Sequence, residues 1–130
     1  MAFAEKAVVM TKTGIVSDAV LKIGPGRYDF WLVVDISAMA AGGYRFLLQG
    51  ADAKDFDAAS QIVNLAMLDI GNSPMLLGGA TSLGIGRYAI PFVNEISDES
   101  GELGWIRLNL IMTDVGPIIF KSWLSREMRS

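Results

Sequence analysis

The 130-residue sequence has no cysteine and no histidine. The first absence removes disulfides, thiolate nucleophiles and cysteine zinc sites. The second removes imidazole acid–base catalysis and haem ligation. Charge is also scarce: 19% of residues are Asp, Glu, Lys or Arg, against about 25% in an average soluble domain. The 11 basic residues are scattered and the net charge is −3. The concentrated positive footprint that displaces counterions from nucleic acid is therefore missing, and no nucleic-acid partner is expected. Apolar runs stay well below the roughly 18 residues a membrane helix needs, so no membrane span is expected. Met1 to Lys6 lacks a basic start followed by a long apolar stretch and does not read as a signal peptide.

What is present is apolar and finely punctuated. Hydrophobic residues make up 52% of the chain, and 14 glycines divide it into short blocks rich in β-branched and aromatic residues. That spacing predicts an all-β fold of about eight antiparallel strands, a jelly-roll or Greek-key sandwich, in a single domain over 1–130. The strongest strand runs from Arg27 to Ser37. Tyr28, Phe30, Leu32, Val34 and Ile36 share one face, and Asp29, Trp31, Val33, Asp35 and Ser37 share the other. Tyr44 to Gln49 follows Gly42-Gly43, and these two blocks read as a hairpin. Arg87 to Val93 contains Pro91, which cannot donate to a ladder, so this strand is expected at an edge or with a bulge. Trp105 to Thr113 and Pro117 to Leu124 alternate cleanly. Ala7 to Thr11 and Ala19 to Ile23 are shorter candidates, and the segment 1–14 reads as a candidate extension. Residues 53–60 carry helical spacing, so a helical turn is expected near Lys54 to Ala58, followed by a strand from Gln61 to Leu68.

Motifs with chemical content are few. Gly84-Ile85-Gly86 lacks the third glycine and the following helix of a dinucleotide loop, so it reads as a turn or bulge. Asp52, Asp55 and Asp57 lack the glycine and terminal glutamate of a calcium loop and read as a solvated turn. Glu95 with Asp98 or Glu102 would be a carboxylate pair for glycoside hydrolysis, but nothing fixes their separation. Lys121 and Ser122 are adjacent on a strand and point to opposite faces, which excludes their acting together. Neither an enzyme nor a cofactor or metal site is expected. Arg87 and Arg107 lie within apolar strands, where an arginine pairs with a carboxylate or stacks on a ring, and Glu95 is a candidate partner. Met75, Leu76 and Leu77 form an apolar triplet between a proline and two glycines, a candidate partner contact.

Four blocks together resemble a known family. They are Tyr28-Asp29-Phe30-Trp31-Leu32-Val33-Val34-Asp35, Tyr44-Arg45-Phe46-Leu47-Leu48-Gln49-Gly50, Gly86-Arg87-Tyr88-Ala89-Ile90-Pro91-Phe92-Val93-Asn94-Glu95, and Trp105-Ile106-Arg107-Leu108. Their order is similar to that of the jelly-roll capsid cement, or decoration, proteins of tailed bacteriophages. The resemblance spans about Ala19 to Leu124; the acidic stretch Ser97 to Gly104 and the segment Phe3 to Gly14 depart from it. It implies a virion protein on the outer surface of the phage head, made in the host cytoplasm. Such a protein clamps neighbouring major capsid subunits, commonly as a dimer or trimer of itself.

A cement protein needs a rigid body and adhesive patches, with apolar and aromatic anchors inside a polar rim. Phe3, Trp31, Met75, Leu76, Leu77 and Trp123 are the candidate anchors. The alternative from another class is a carbohydrate-binding sandwich, with sugars stacked on Trp31 beside Asp29 and Asp35, or on Trp105 beside Asn109. A self-assembling viral coat is a further alternative.

Overall fold

The structure is a computed structural model that describes residues 2–23, 29–40, 42–59, 61–71, 85–93, 104–113 and 116–126. Eight strands follow one another: β1 (Ala2–Met10), β2 (Gly14–Lys22), β3 (Asp29–Met39), β4 (Gly43–Ala51), β5 (Ile62–Gly71), β6 (Gly86–Val93), β7 (Trp105–Thr113) and β8 (Ile118–Ser125). They form two four-stranded antiparallel sheets. Sheet I has the order β1-β8-β3-β6, and sheet II the order β2-β7-β4-β5.

The pairing is nested. β1 pairs with β8, β2 with β7, β3 with β6 and β4 with β5. It is the pattern of one long hairpin, with β1 to β4 as one arm and β5 to β8 as the other, rolled until β3 meets β8 and β4 meets β7. This corrects the expected hairpin of the Tyr28 and Tyr44 blocks. β3 lies in sheet I and β4 in sheet II, so the chain crosses between sheets there. The reason lies in their inward faces: both are wholly apolar, and facing each other across the interior buries them more completely than lying side by side.

The core lies between the sheets. Leu32, Val34 and Ile36 of β3, with Ile118 and Phe120 of β8, face Phe46 and Leu48 of β4 and Ile106, Leu108 and Leu110 of β7. Phe46 and Phe120 meet edge to face across it, with ring centroids 4.9 Å apart, the geometry that aromatic quadrupoles favour. Among the described residues, the Ser122 and Tyr44 hydroxyls enter this region, each with partners. Ser122 Oγ donates to the carbonyl of Val33 at 3.0 Å. The Tyr44 hydroxyl lies 2.9 Å from the carbonyl of Ala40 and 3.0 Å from that of Gly116. It thereby ties two of the crossings between sheets. Burial pushes the Tyr44 phenol pKa up, with the bond to Ala40 pulling weakly the other way.

Three further expectations are revised. No helix forms among the described residues of 53–60: two bonds, Ala58 N to Asp55 O and Ala59 N to Phe56 O, close a single turn. Its aspartates serve the turn, since Asp55 Oδ1 accepts from the amide of Asp57 at 3.0 Å. The candidate extension 1–14 instead contains β1, paired along β8 from Ala2 to Met10. β1 and β2 both exceed their expected lengths because each is interrupted by a bulge, between Ala4 and Val8 and between Ile15 and Val20. In β2 the bulge holds Ser17 and Asp18 at φ of 54° and 49°, which breaks the alternation a sequence reading depends on. β6 is an edge strand, as Pro91 requires, and pairs with β3 without a register shift.

Candidate functional site: the two outer faces of the sandwich

Alternation sends every second side chain of each strand outward, so each sheet carries a solvent-side face that the core does not use. On sheet I the register brings together three of the residues singled out in the sequence: Trp31 on β3, Trp123 on β8 and Arg87 on β6. Val33 pairs with both Trp123 and Ala89, and Trp31 is the next outward residue along β3. Asp35 pairs with both Arg87 and Lys121, making a row of alternating charge across three strands. Arg87 Nη2 bonds Asp35 Oδ2 at 3.1 Å, and its guanidinium lies 5.1 Å from the Trp123 ring centre. Glu95, the candidate partner for Arg87 or Arg107, lies outside the described residues. Asp35 bonds Arg87 because it stands directly opposite on β3, where a cross-strand ion pair needs no reach.

This face is indented twice. A shallow depression of about 610 Å³ is lined by Trp123, Arg87, Asp35, Lys121 and Glu5. A second, of about 350 Å³, is lined by Trp31, Pro91, Phe30, Phe92, Asp29 and Arg126. There Phe30 and Phe92 stack at 5.9 Å, and Arg126 lies 5.6 Å from the Phe30 ring centre.

Sheet II presents a different surface. Its middle row runs Ile15–Asn109–Leu47–Met67 across β2, β7, β4 and β5. Ile111 extends it into the next row, where it pairs with Arg45. Met67 is 50% exposed, and Ile62 further along β5 is 44% exposed. Bonded polar rows lie on both sides. On one side, Arg45 grips Asp69 with two bonds, Nε to Oδ1 at 2.8 Å and Nη2 to Oδ2 at 3.2 Å. The bond to Asp69 raises the Arg45 pKa above its ordinary value, so the cation persists at every working pH. On the other side, Arg107 Nε donates to Gln49 Oε1 at 2.9 Å, and Gln49 Nε2 donates to Asn64 Oδ1 at 3.3 Å.

The end of sheet II near Trp105 is closed by the 52–59 turn. Phe56 folds back under the Arg107 guanidinium, 4.3 Å from its ring centre. Lys22 and Lys54 lie 5.6 Å and 5.9 Å from the ring centre of Trp105. Trp105, the second stacking candidate, thus has two lysines beside its ring.

Comparison of the chain with family models, with curated proteins and with solved structures returned no match. What the protein does must therefore be read from the chemistry of its two faces.

The remaining candidates separate. Phe3 belongs to the core at 3% exposure, a correction to its place among the anchors. The register of β1 on β8 turns its ring inward, against the apolar interior. Arg107 stacks on Phe56 and bonds Gln49, on the opposite sheet from Arg87. Met75, Leu76, Leu77 and Glu95 lie outside the described residues. The sequence reading missed Leu47, Met67, Ile111 and Ile15. A signal for two of them was present: Leu47 falls between Arg45 and Gln49, and Ile111 follows Arg107 and Asn109, so each is an apolar residue in a polar phase. For Met67 the signal was hidden, because the β5 register slips opposite Leu48 and Gln49.

Proposed function

We propose that this chain is a binding protein without catalytic activity: a capsid decoration protein that docks on the outside of a tailed-phage head and braces neighbouring major capsid subunits. The observation that carries the reading is the outer face of sheet II. A largely apolar row of Ile15, Leu47 and Met67, interrupted by Asn109, between two internally bonded polar rows, one of which also holds Ile111, has the anatomy of a protein-docking surface. The polar rows are already satisfied, so a partner has only to cover apolar area, with little polar desolvation. The nested strand pairing is that of a rolled double hairpin. It supports the jelly-roll architecture that the resemblance implies.

The test is co-sedimentation of the purified protein with expanded capsids that lack it, beside the protein alone. Saturable binding at a fixed copy number per shell, with a higher shell disruption temperature, is the expected result. A protein that stays in the supernatant at every concentration, with any such shell, would overturn the proposal.

A further inference from the structure

The outer face of sheet I has chemistry that a brace does not need. Val33 points outward, between the inward Leu32 and Val34, yet it is 0% exposed. Its outward neighbours are Trp31 and Asp35 on its own strand and Trp123 and Ala89 opposite. Among these neighbours Val33 is fully covered. Trp123 lines the larger depression.

The walls of that depression are charged and balanced. Arg87 and Lys121 supply two positive charges, and Asp35 and Glu5 two negative ones. With the net at zero, a phosphate, sulfate or polycation gains no field on entering. Each would also meet two groups of its own sign. A polyhydroxylated neutral ligand meets no such penalty, since hydroxyls both donate and accept. The Arg87 fork is held from two sides, by Asp35 at 3.1 Å and by the Trp123 ring at 5.1 Å. A guanidinium so fixed and a carboxylate beside it suit adjacent hydroxyl pairs, while the indole suits the C–H face of a sugar ring. Trp31 repeats the aromatic element in the second depression of the same face, one outward position along β3 from Val33.

We infer that the outer face of sheet I is a binding site for a neutral oligosaccharide, seated on Trp123 between Arg87, Asp35, Lys121 and Glu5 and continuing towards Trp31. This site is separate from the docking face on sheet II and stands whether or not the chain decorates a capsid. Its position on the opposite sheet leaves it outward when sheet II is covered.

The experiment is a titration of the purified full chain with four neutral hexasaccharides (gluco-, manno-, galacto- and xylo-configured), followed by tryptophan fluorescence and calorimetry. A sialylated oligosaccharide serves as the anionic comparison. At least one neutral probe is expected to bind with a dissociation constant of about 1 mM or tighter. That affinity should change little with added salt, because the contacts are hydroxyl bonds and stacking. Trp123→Ala should weaken it about tenfold or more, and Arg87→Gln should weaken it with the fold intact by circular dichroism. Leu47→Asp, on the other sheet, should leave it unchanged. Absence of binding by all four neutral probes would overturn the inference. Affinity unchanged in both Trp123→Ala and Arg87→Gln would do the same, as would a preference for the sialylated probe that disappears with salt.

Discussion

Val33 and Met67 occupy comparable places, each an outward apolar residue near the middle of its sheet, yet Val33 is fully covered and Met67 is 50% exposed. The difference lies in what stands beside them. Around Val33 are two tryptophans and an ion-paired arginine. Around Met67 are Leu47 and, one row away, Asp69, whose carboxylate is turned aside into its bonds with Arg45. Around Val33 the first face has covered its apolar surface beside a charge-walled depression, while Val9 on its β1 edge is 60% exposed. The other has tied its polar groups to each other and leaves Met67 and Ile62 exposed beside the half-buried Leu47, Ile15 and Ile111. An exposed aliphatic patch suits a protein surface; a charge-walled depression suits a small hydroxylated ligand.

The strongest challenge to that contrast is to disturb the frame both faces share. Gly71 sits at φ +80°, and a Cβ there would collide with the Gly42 carbonyl oxygen. Gly71→Ala is expected to cost about 3 kcal/mol of stability through strain and displaced backbone, read as a lower urea midpoint, and to weaken both binding functions together. A sharper separation comes from Leu47→Asp. It should lower capsid affinity about 100-fold in sedimentation assays, the scale of a central hot spot lost, and leave sugar binding alone.

Smaller effects locate what holds the faces in place. Tyr44→Phe removes the tie between Ala40 and Gly116 and is expected to cost about 1 kcal/mol in chemical denaturation. The pH dependence has a definite sign. The folded-state pKa of Tyr44 is raised, so the folded chain keeps a proton that the unfolded chain releases near pH 10. The advantage of wild type over Tyr44→Phe is therefore fully present below about pH 10 and is lost as pH rises through the higher folded-state value. Smallest of all, Arg45→Ala breaks a bidentate but partly exposed pair. It should cost roughly 0.5–1 kcal/mol of thermal stability, less at high salt, with sugar binding unchanged.

The strands themselves were legible because the alternation is strong where both sheet neighbours are regular. Trp105 to Thr113 has the same limits in the sequence and in the structure, and Pro91 marked its strand as an edge. Pairing was not legible. Gly42-Gly43 looks like a hairpin turn between two amphipathic blocks, and only the demand to bury two fully apolar faces sends them into different sheets. Bulges hid the ends of β1 and β2, because an inserted residue inverts the phase of everything beyond it. The sheet I site was half legible: its tryptophans and Arg87 were singled out as candidates, but Asp35 and Lys121 flank Arg87 only through cross-strand register. The sheet II row was not legible because only cross-strand register brings Ile15, Leu47 and Met67 side by side.

The nested pairing also sets how this chain can reach its fold as it is made. β4 and β5, neighbours in sequence, can zip as soon as both have left the ribosome. Each outer pair then closes a longer loop, and β1, made first, has no sheet partner until β8, made last, is available. Contacts so distant in sequence fold on the millisecond-to-second scale. Once paired, β1 lies at the edge of sheet I, where exposed Glu5 and Lys6 disfavour pairing with another chain.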